Sequence, residues 1–369
     1  SLKMLLYIST IFLLGFFAII DNLISNTQYS KFRTFFYGIA YLLVALQFGL
    51  RDKMATDWDM YESFFKYYFI SIQDLDFKNY SVEVAFQILQ IGFHYISDNY
   101  NLFVLFQSLF FYFVIFFVFY KISSAPFVAI MLFYSLFIGM VGANRQSIAL
   151  AFCLMGLYYY LKTNNYYIFF GFIVGGFLFH TSALLFSIYL FFNRKIDSKY
   201  ILIAILCSFI IGNTQLPFKI FSLFGVVSEH AMSKTEAYLD SAKQELERAQ
   251  VSTFGIAKRI IIPLFFIYFR NKISLKEKYF NVFLNAYVFG TCFYFLFYKT
   301  LLVMVSRGGF YFNVFEALLT SSLFFIVDKK YRPIFVLIFI VISVFYLNQS
   351  ISAYPEIFIP YRSVFNNLL

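Results

Sequence analysis

The sequence predicts an all-α polytopic membrane protein of about 10–12 transmembrane helices, and three observations carry that prediction. Of 369 residues, 61% are apolar and 24% aromatic, whereas only 13% are charged. A soluble domain is nearer half apolar and a quarter charged, so charge this sparse cannot solvate a globule in water and lipid must be the outer solvent. The mean hydropathy of +0.75 agrees. It is reached through repeated apolar runs of roughly the length that crosses a hydrocarbon core, separated by short charged links. Together these exclude a cytosolic enzyme, a secreted disulfide scaffold and a disordered chain. The 29 Lys and Arg against 19 Asp and Glu give +10, which belongs first to a cytoplasmic rim and is no nucleic-acid signal.

Taken in order, the chain opens Ser-Leu-Lys before Met4, and the run 2–20 lacks a small-residue cleavage site, which predicts a retained first span. Residues 33–50 form the second. Segment 51–100 is polar, and within it Ser81 to Tyr95 carries apolar residues at helical spacing, predicting an amphipathic helix at the interface. Runs 101–121, 125–142 and 146–161 follow as spans. The 27 residues from Tyr166 to Phe192 are long for one crossing and short for two. Gly175-Gly176 and Phe179-His180-Thr181-Ser182 in the middle predict a sharp turn between two short or re-entrant helices. Run 200–212 is a weaker span. Segment 213–253 holds a soluble helix over Ser233 to Gln250, opened by the capping box Ser233-x-x-Glu236. Runs 254–270, 279–298, 309–327 and 333–348 complete a single integral membrane domain over 1–369.

Charge orients the chain. Segment 51–100 sums to −4 and 213–253 to −1, whereas the links 194–199, 270–278 and 328–332 sum to +2, +3 and +2. The positive-inside rule puts the basic links in the cytoplasm, the two longer segments outside, and both termini outside. This requires 166–192 to turn back with His180 near the outer surface. Cys153, Cys207 and Cys292 lie in apolar runs without paired spacing and read as packing residues.

That topology gathers the unusual polar residues on the outer side. A charge in hydrocarbon costs about 2.5 kcal/mol or more on insertion scales, so each is a functional hypothesis. Arg145, in Gly142-Ala143-Asn144-Arg145-Gln146-Ser147, lies between apolar runs where a cation opposes the helix dipole unless an anion binds there. A diphosphate satisfies both; the plainer reading is a snorkelling Arg paired with Asp57 or Glu83. Arg307, followed by Gly308-Gly309, precedes the 309–327 span and has the same character, its plainer reading being an interfacial anchor. Arg51 follows the second span, and Arg259 with Lys258 opens the 254–270 span. His180 is the side chain suited to proton transfer near neutral pH, against a structural role at the turn. His94 and His230 read as surface residues. Asp57-Trp58-Asp59 has D-x-D spacing for a divalent metal, but the site candidates are richer in cations than acids, which favours metal-free handling of phosphates.

Gly49-Leu50-Arg51, Thr56-Asp57-Trp58-x-x-Tyr61, Glu83-x-x-Phe86, Asn144-Arg145-Gln146-x-x-Ala149, His180-Thr181-Ser182-Ala183 and Arg307-x-x-x-Tyr311-Phe312 together resemble the EpsG-like family of Wzy-type polysaccharide polymerases. The R-Q-x-x-A and H-T-S-A elements are the most specific. The usual glycine before Thr-Asp is Ala55 here, and the segment 213–253 is short. The resemblance implies a GT-C-like helical fold in the bacterial inner membrane with the site facing the periplasm. It implies an O-antigen, capsule or exopolysaccharide polymerase that moves a polyprenyl-diphosphate-linked glycan onto the non-reducing-end hydroxyl of a lipid-linked repeat. No cofactor is implied; the partners are that lipid-linked oligosaccharide, membrane lipid and a chain-length regulator protein, with no nucleic acid. Arg145, Arg307, Arg51 and Arg259 would hold the diphosphate. His180, or Asp57 in its place, would deprotonate the acceptor, Glu83 would orient an arginine, and Trp58, Tyr61 and Tyr311 would meet sugars. Two alternatives are a flippase for the same lipid-linked sugars and a membrane acyltransferase acting on polysaccharide; a flippase should show paired broken helices in two related halves, which the sequence does not.

Overall fold

The computed structural model describes residues 4–23, 30–77, 82–224, 253–352 and 354–365. Its regular structure is helical, with no strand among the described residues beyond one isolated bridge between Arg51 and Ser363. The chain forms two compact units, Ser1–Ser187 with Thr320–Leu369, and Ile188–Leu319.

The first unit contains α1 (Leu5–Leu23), α2 (Ser30–Gly49), the short α3 (Trp58–Ser63), α4 (Val84–His94), α5 (Tyr100–Ile122), α6 (Pro126–Phe137), α7 (Asn144–Thr163), α8 (Tyr166–Phe177) and α14 (Arg332–Ile351). Small residues let its apolar helices approach, as membrane packing demands: a Cβ on Gly15 of α1 would meet Ile340 of α14 at 2.5 Å, and one on Gly49 of α2 would meet Leu105 of α5 at 2.6 Å. Polar glue is sparse. Gln47 accepts from Thr10 at 3.0 Å and donates to Tyr134 at 2.9 Å, tying α1, α2 and α6. The amphipathic pattern of Ser81 to Tyr95 forms α4, which closes an aromatic core with Phe65, Phe86, Phe93 and Phe103.

Segment 166–192 breaks where its polar residues predict. After α8 the chain turns through Leu178–His180 and returns as a 3-10 run, Thr181–Phe191. Phe169 lies beside Phe186, ring centroids 6.4 Å apart, and Ala183 Cβ is 3.3 Å from where a Cβ on Gly176 would stand. In a continuous helix residues 17 apart are about 25 Å distant, so the segment is an antiparallel hairpin with His180 at its turn.

The second unit contains α9 (Ser198–Gly212), α10 (Leu216–Phe224), α11 (Thr253–Ser274), α12 (Phe280–Phe297) and α13 (Leu302–Ser321). Asn285 of α12 donates to the carbonyls of Phe192 and Arg194, both at 2.8 Å, which fixes the exit from the 3-10 run. The expected helix Ser233 to Gln250, and His230, lie outside the described residues.

Five helices among the described residues are long and apolar enough to cross a membrane, six if α9 and α10, bent by 78°, form one broken span. The sequence count is higher because it ranked apolar runs alone. Helix α7 gains Asn144, Arg145 and Gln146 in its first turn, α13 begins at Leu302 and so takes in Ser306 and Arg307, and α6 and α8 are 12 residues each, too short for a full crossing. The span expected over 309–327 is thereby corrected: Arg307 lies inside a helix, and the last residues, Ser322–Phe325, wind as 3-10.

Candidate functional site

The site of the first unit is built around the start of α7. Gly142 has φ +111°, and a Cβ there would strike the Thr56 carbonyl oxygen, so only glycine admits the loop after α2 against this turn. Thr56 fixes the approach by donating both its N–H, at 3.3 Å, and its hydroxyl, at 3.2 Å, to the Val141 carbonyl. The loop is gripped from its other side by the C-terminal segment, where the Ile357 carbonyl accepts from Ala55 N–H at 3.0 Å and the Arg362 carbonyl from Asp52 N–H at 3.1 Å.

Three consecutive residues then fan out from the first turn of α7. Asn144 reaches Arg51, whose Nη2 donates to its Oδ1 at 3.4 Å. Arg51 is 5% exposed; it also donates to the Phe48 carbonyl, lies 5.7 Å from the Trp58 ring, and has no carboxylate partner among the described residues. Burial pushes its pKa below the ordinary arginine value, with the surrounding tyrosines opposing. A buried cation without a counter-charge is costly unless an anion joins it.

Arg145 has its counter-charge: Nη1 meets Glu83 Oε2 at 2.7 Å, Nε donates to the Tyr61 hydroxyl at 3.2 Å, and the guanidinium carbon is 5.8 Å from that ring. Burial opposes its charge, but Tyr61 and Glu83 outweigh burial and leave its pKa above the ordinary value. Glu83 in turn accepts from Thr181 N–H at 3.3 Å, which joins α7 to the hairpin turn.

Gln146 donates to Ser182 Oγ at 3.4 Å, and Ser182 holds His180. The His180 Nδ1 is 2.6 Å from Ser182 Oγ and accepts from Ser182 N–H at 3.3 Å. A backbone N–H can only donate, so Nδ1 is the acceptor and the hydrogen of the neutral ring sits on Nε2.

Asp57 is exposed, with φ +57°, at the N-cap of α3, where its side chain makes no capping bond. Among the described residues no three His, Cys, Asp or Glu side chains converge as a metal cage, and Asp59, in the first turn of α3, is exposed as well. Trp58 and Tyr61, 6% and 5% exposed, belong to the aromatic core rather than to an open rim, so they brace the arginines from below.

In the second unit Arg259 stacks on Tyr294, guanidinium to ring centroid 3.7 Å, and donates to the Gly255 carbonyl at 3.2 Å. Its neighbour Lys258 is neutralised by Glu316, Nζ to Oε1 2.7 Å and to Oε2 3.0 Å. Arg307 is exposed on α13. Tyr311 is fully buried, and its carbonyl accepts from Tyr189 at 2.7 Å, which makes it a core residue rather than a platform for sugar.

The structure therefore brings Arg51, Asp57, Trp58, Tyr61, Glu83, Arg145 and His180 into the first unit and Arg259, Arg307 and Tyr311 into the second. Sequence reasoning missed Asn144, Gln146 and Ser182 as side chains that position the rest, although they flank Arg145 and His180, and it missed Glu316, which no local pattern links to Lys258. No curated protein and no solved structure matches the chain. A sequence profile of the EpsG family matches residues 34–363, a range holding every one of these side chains, and the chain belongs to that family.

Proposed function

We propose that the protein is a polysaccharide polymerase that transfers a polyprenyl-diphosphate-linked glycan onto the non-reducing-end hydroxyl of a lipid-linked repeat at the outer face of the bacterial inner membrane. Membership of the EpsG family supports the coarser part, an exopolysaccharide-related polymerase or glycosyltransferase. The observation that supports the finer part is Arg51, a buried guanidinium that meets no carboxylate among the described residues and lies beside Asn144 in the first turn of α7. Its hydrogen bonds go to neutral oxygens, the Phe48 carbonyl and Asn144, so its charge still suits an anion.

The acceptor hydroxyl oxygen forms a bond to the anomeric carbon, and the bond from that carbon to the diphosphate oxygen breaks, its electron pair leaving with the polyprenyl diphosphate. Negative charge gathers on the leaving oxygen as this proceeds, so cations fixed there favour the transition state over the ground state. Arg51 takes that role with Arg145, which Glu83 and Tyr61 hold at the first turn of α7. The acceptor proton goes to Asp57, whose exposed carboxylate is open to a hydroxyl. His180, with Nδ1 engaged by Ser182, offers Nε2–H as a donor to substrate oxygen. Purified protein supplied with lipid-linked repeat units should yield a ladder of polymers, and Arg51→Ala should lower the rate by about 10²-fold or more at normal protein level. A full ladder from that variant would remove Arg51 from the reaction.

A further inference from the structure

We propose that the cleft beside α3 lined by Glu62, Lys66, Asp98, Asn99, Tyr100 and Asn101 is a binding subsite for an uncharged, hydroxyl-rich ligand, the acceptor glycan, an inference that rests on the polymerase reading. The cleft holds about 430 Å³, within the range of small-molecule sites. Its lining is one aromatic ring among five polar side chains, with no aliphatic wall, so it does not suit a lipid tail. Two carboxylates against one ammonium leave it slightly acidic, so it does not suit the diphosphate that Arg51 would attract. It carries both donors and acceptors instead, as sugar hydroxyls require.

Asn99 is committed in a way that leaves a complementary group for a ligand. Asn99 Oδ1 caps α5 by accepting from Asn101 and Leu102 N–H at 2.9 and 3.4 Å, so its amide nitrogen is what a ligand would meet. Tyr100 is 3% exposed, with its hydroxyl buried on the side of Asn144 and Arg51, so it walls the cleft without offering that hydroxyl to a ligand. Side-chain contacts link the cleft to the candidate centre. Glu62 accepts from the Trp58 indole N–H at 3.1 Å, Trp58 meets Tyr100 edge to face with centroids 5.1 Å apart, and the same ring supports Arg51. On α3, Tyr61 faces Arg145 while Glu62 faces the cleft, so one short helix joins the two.

Trp58 is the only tryptophan in the chain, and its bond to Glu62 makes it a reporter. Full-length protein in nanodiscs is titrated with the soluble oligosaccharide released by mild acid from the cell's lipid-linked repeat, and Trp58 emission is followed. A saturable change is expected, with affinity weakened about tenfold by Glu62→Gln and by Asn101→Ala. No saturable change, or a change of equal affinity in both variants, overturns the proposal. Polymerisation is measured on the same preparation. A ladder without any response from Trp58 overturns the cleft alone, whereas a response without a ladder supports the cleft as a glycan site and overturns the polymerase reading.

Discussion

Ala55 occupies a backbone conformation that suits glycine, with φ +76°, and it stands where the family pattern has that residue. A side chain in the left-handed region costs about 1–2 kcal/mol. The strain is held because the Ala55 N–H is bonded to Ile357 and Thr56 is clamped onto Val141. Ala55→Gly should therefore raise stability by about 1 kcal/mol, read as a higher thermal midpoint of the detergent-solubilised protein; an unchanged or lower midpoint would show that the loop sets its own conformation. The neighbouring chemistry divides at the residue scale as well. Glutamine reproduces both an acceptor facing Ser182 and an N–H donor, so His180→Gln should keep most turnover. Asp57→Asn keeps shape but loses the proton acceptor and should slow turnover by about 10²–10⁴-fold. The reverse ranking in single-turnover rates would make His180 the base. Arg145 was legible in sequence because it is a cation between apolar runs. Its partner Glu83 was legible only as one of two carboxylates, since 62 residues separate the pair and no periodicity spans that distance.

At the scale of elements, lengths and breaks were read well wherever polarity changes sharply, as at the hairpin around His180 and along α4. Boundaries were read poorly where polar residues are folded into a helix. Ser306, Arg307, Gly308 and Gly309 look like a link in the sequence, yet Leu302–Ser321 is continuous helix: Ser306 and Arg307 stay exposed on its surface, whereas the polar residues further along are packed or neutralised. Glu316 is the clearest instance, 4% exposed and bonded to Lys258 of α11. Removing one member of a buried pair leaves an uncompensated charge, at about 3–5 kcal/mol, whereas replacing both with apolar residues is often neutral. Glu316→Leu alone should thus lower the thermal midpoint sharply, and adding Lys258→Met should restore most of it. A double variant no better than the single one would show that the pair contributes through more than its charges. The C-terminal strap on the loop after α2 was not legible at all: its bonds to Asp52 and Ala55 are backbone to backbone, and sequence leaves no mark of them.

For the whole molecule, the cation set expected from the sequence falls in both units, Arg51 and Arg145 in one, Arg259 and Arg307 in the other. That expectation requires both sets to face the same side of the membrane. Charge gives that side independently of any contact: the links 194–199, 270–278 and 328–332 are basic, while 51–100 is acidic, and cytoplasmic loops carry the excess of Lys and Arg. Cysteine labelling decides the matter in a background where Cys153, Cys207 and Cys292 are replaced by serine. Asp57→Cys and Arg307→Cys, both at exposed positions, should react with a membrane-impermeant maleimide added to intact cells. Lys195→Cys and Lys330→Cys, exposed in the basic links, should react only after permeabilisation. Because each probe is scored against its own permeabilised control, a poorly reactive thiol is not mistaken for a cytoplasmic one. If Asp57→Cys labels from outside and Arg307→Cys only from inside, the second unit cannot bring its arginines to the diphosphate, and the leaving group must be held by Arg51 and Arg145 alone.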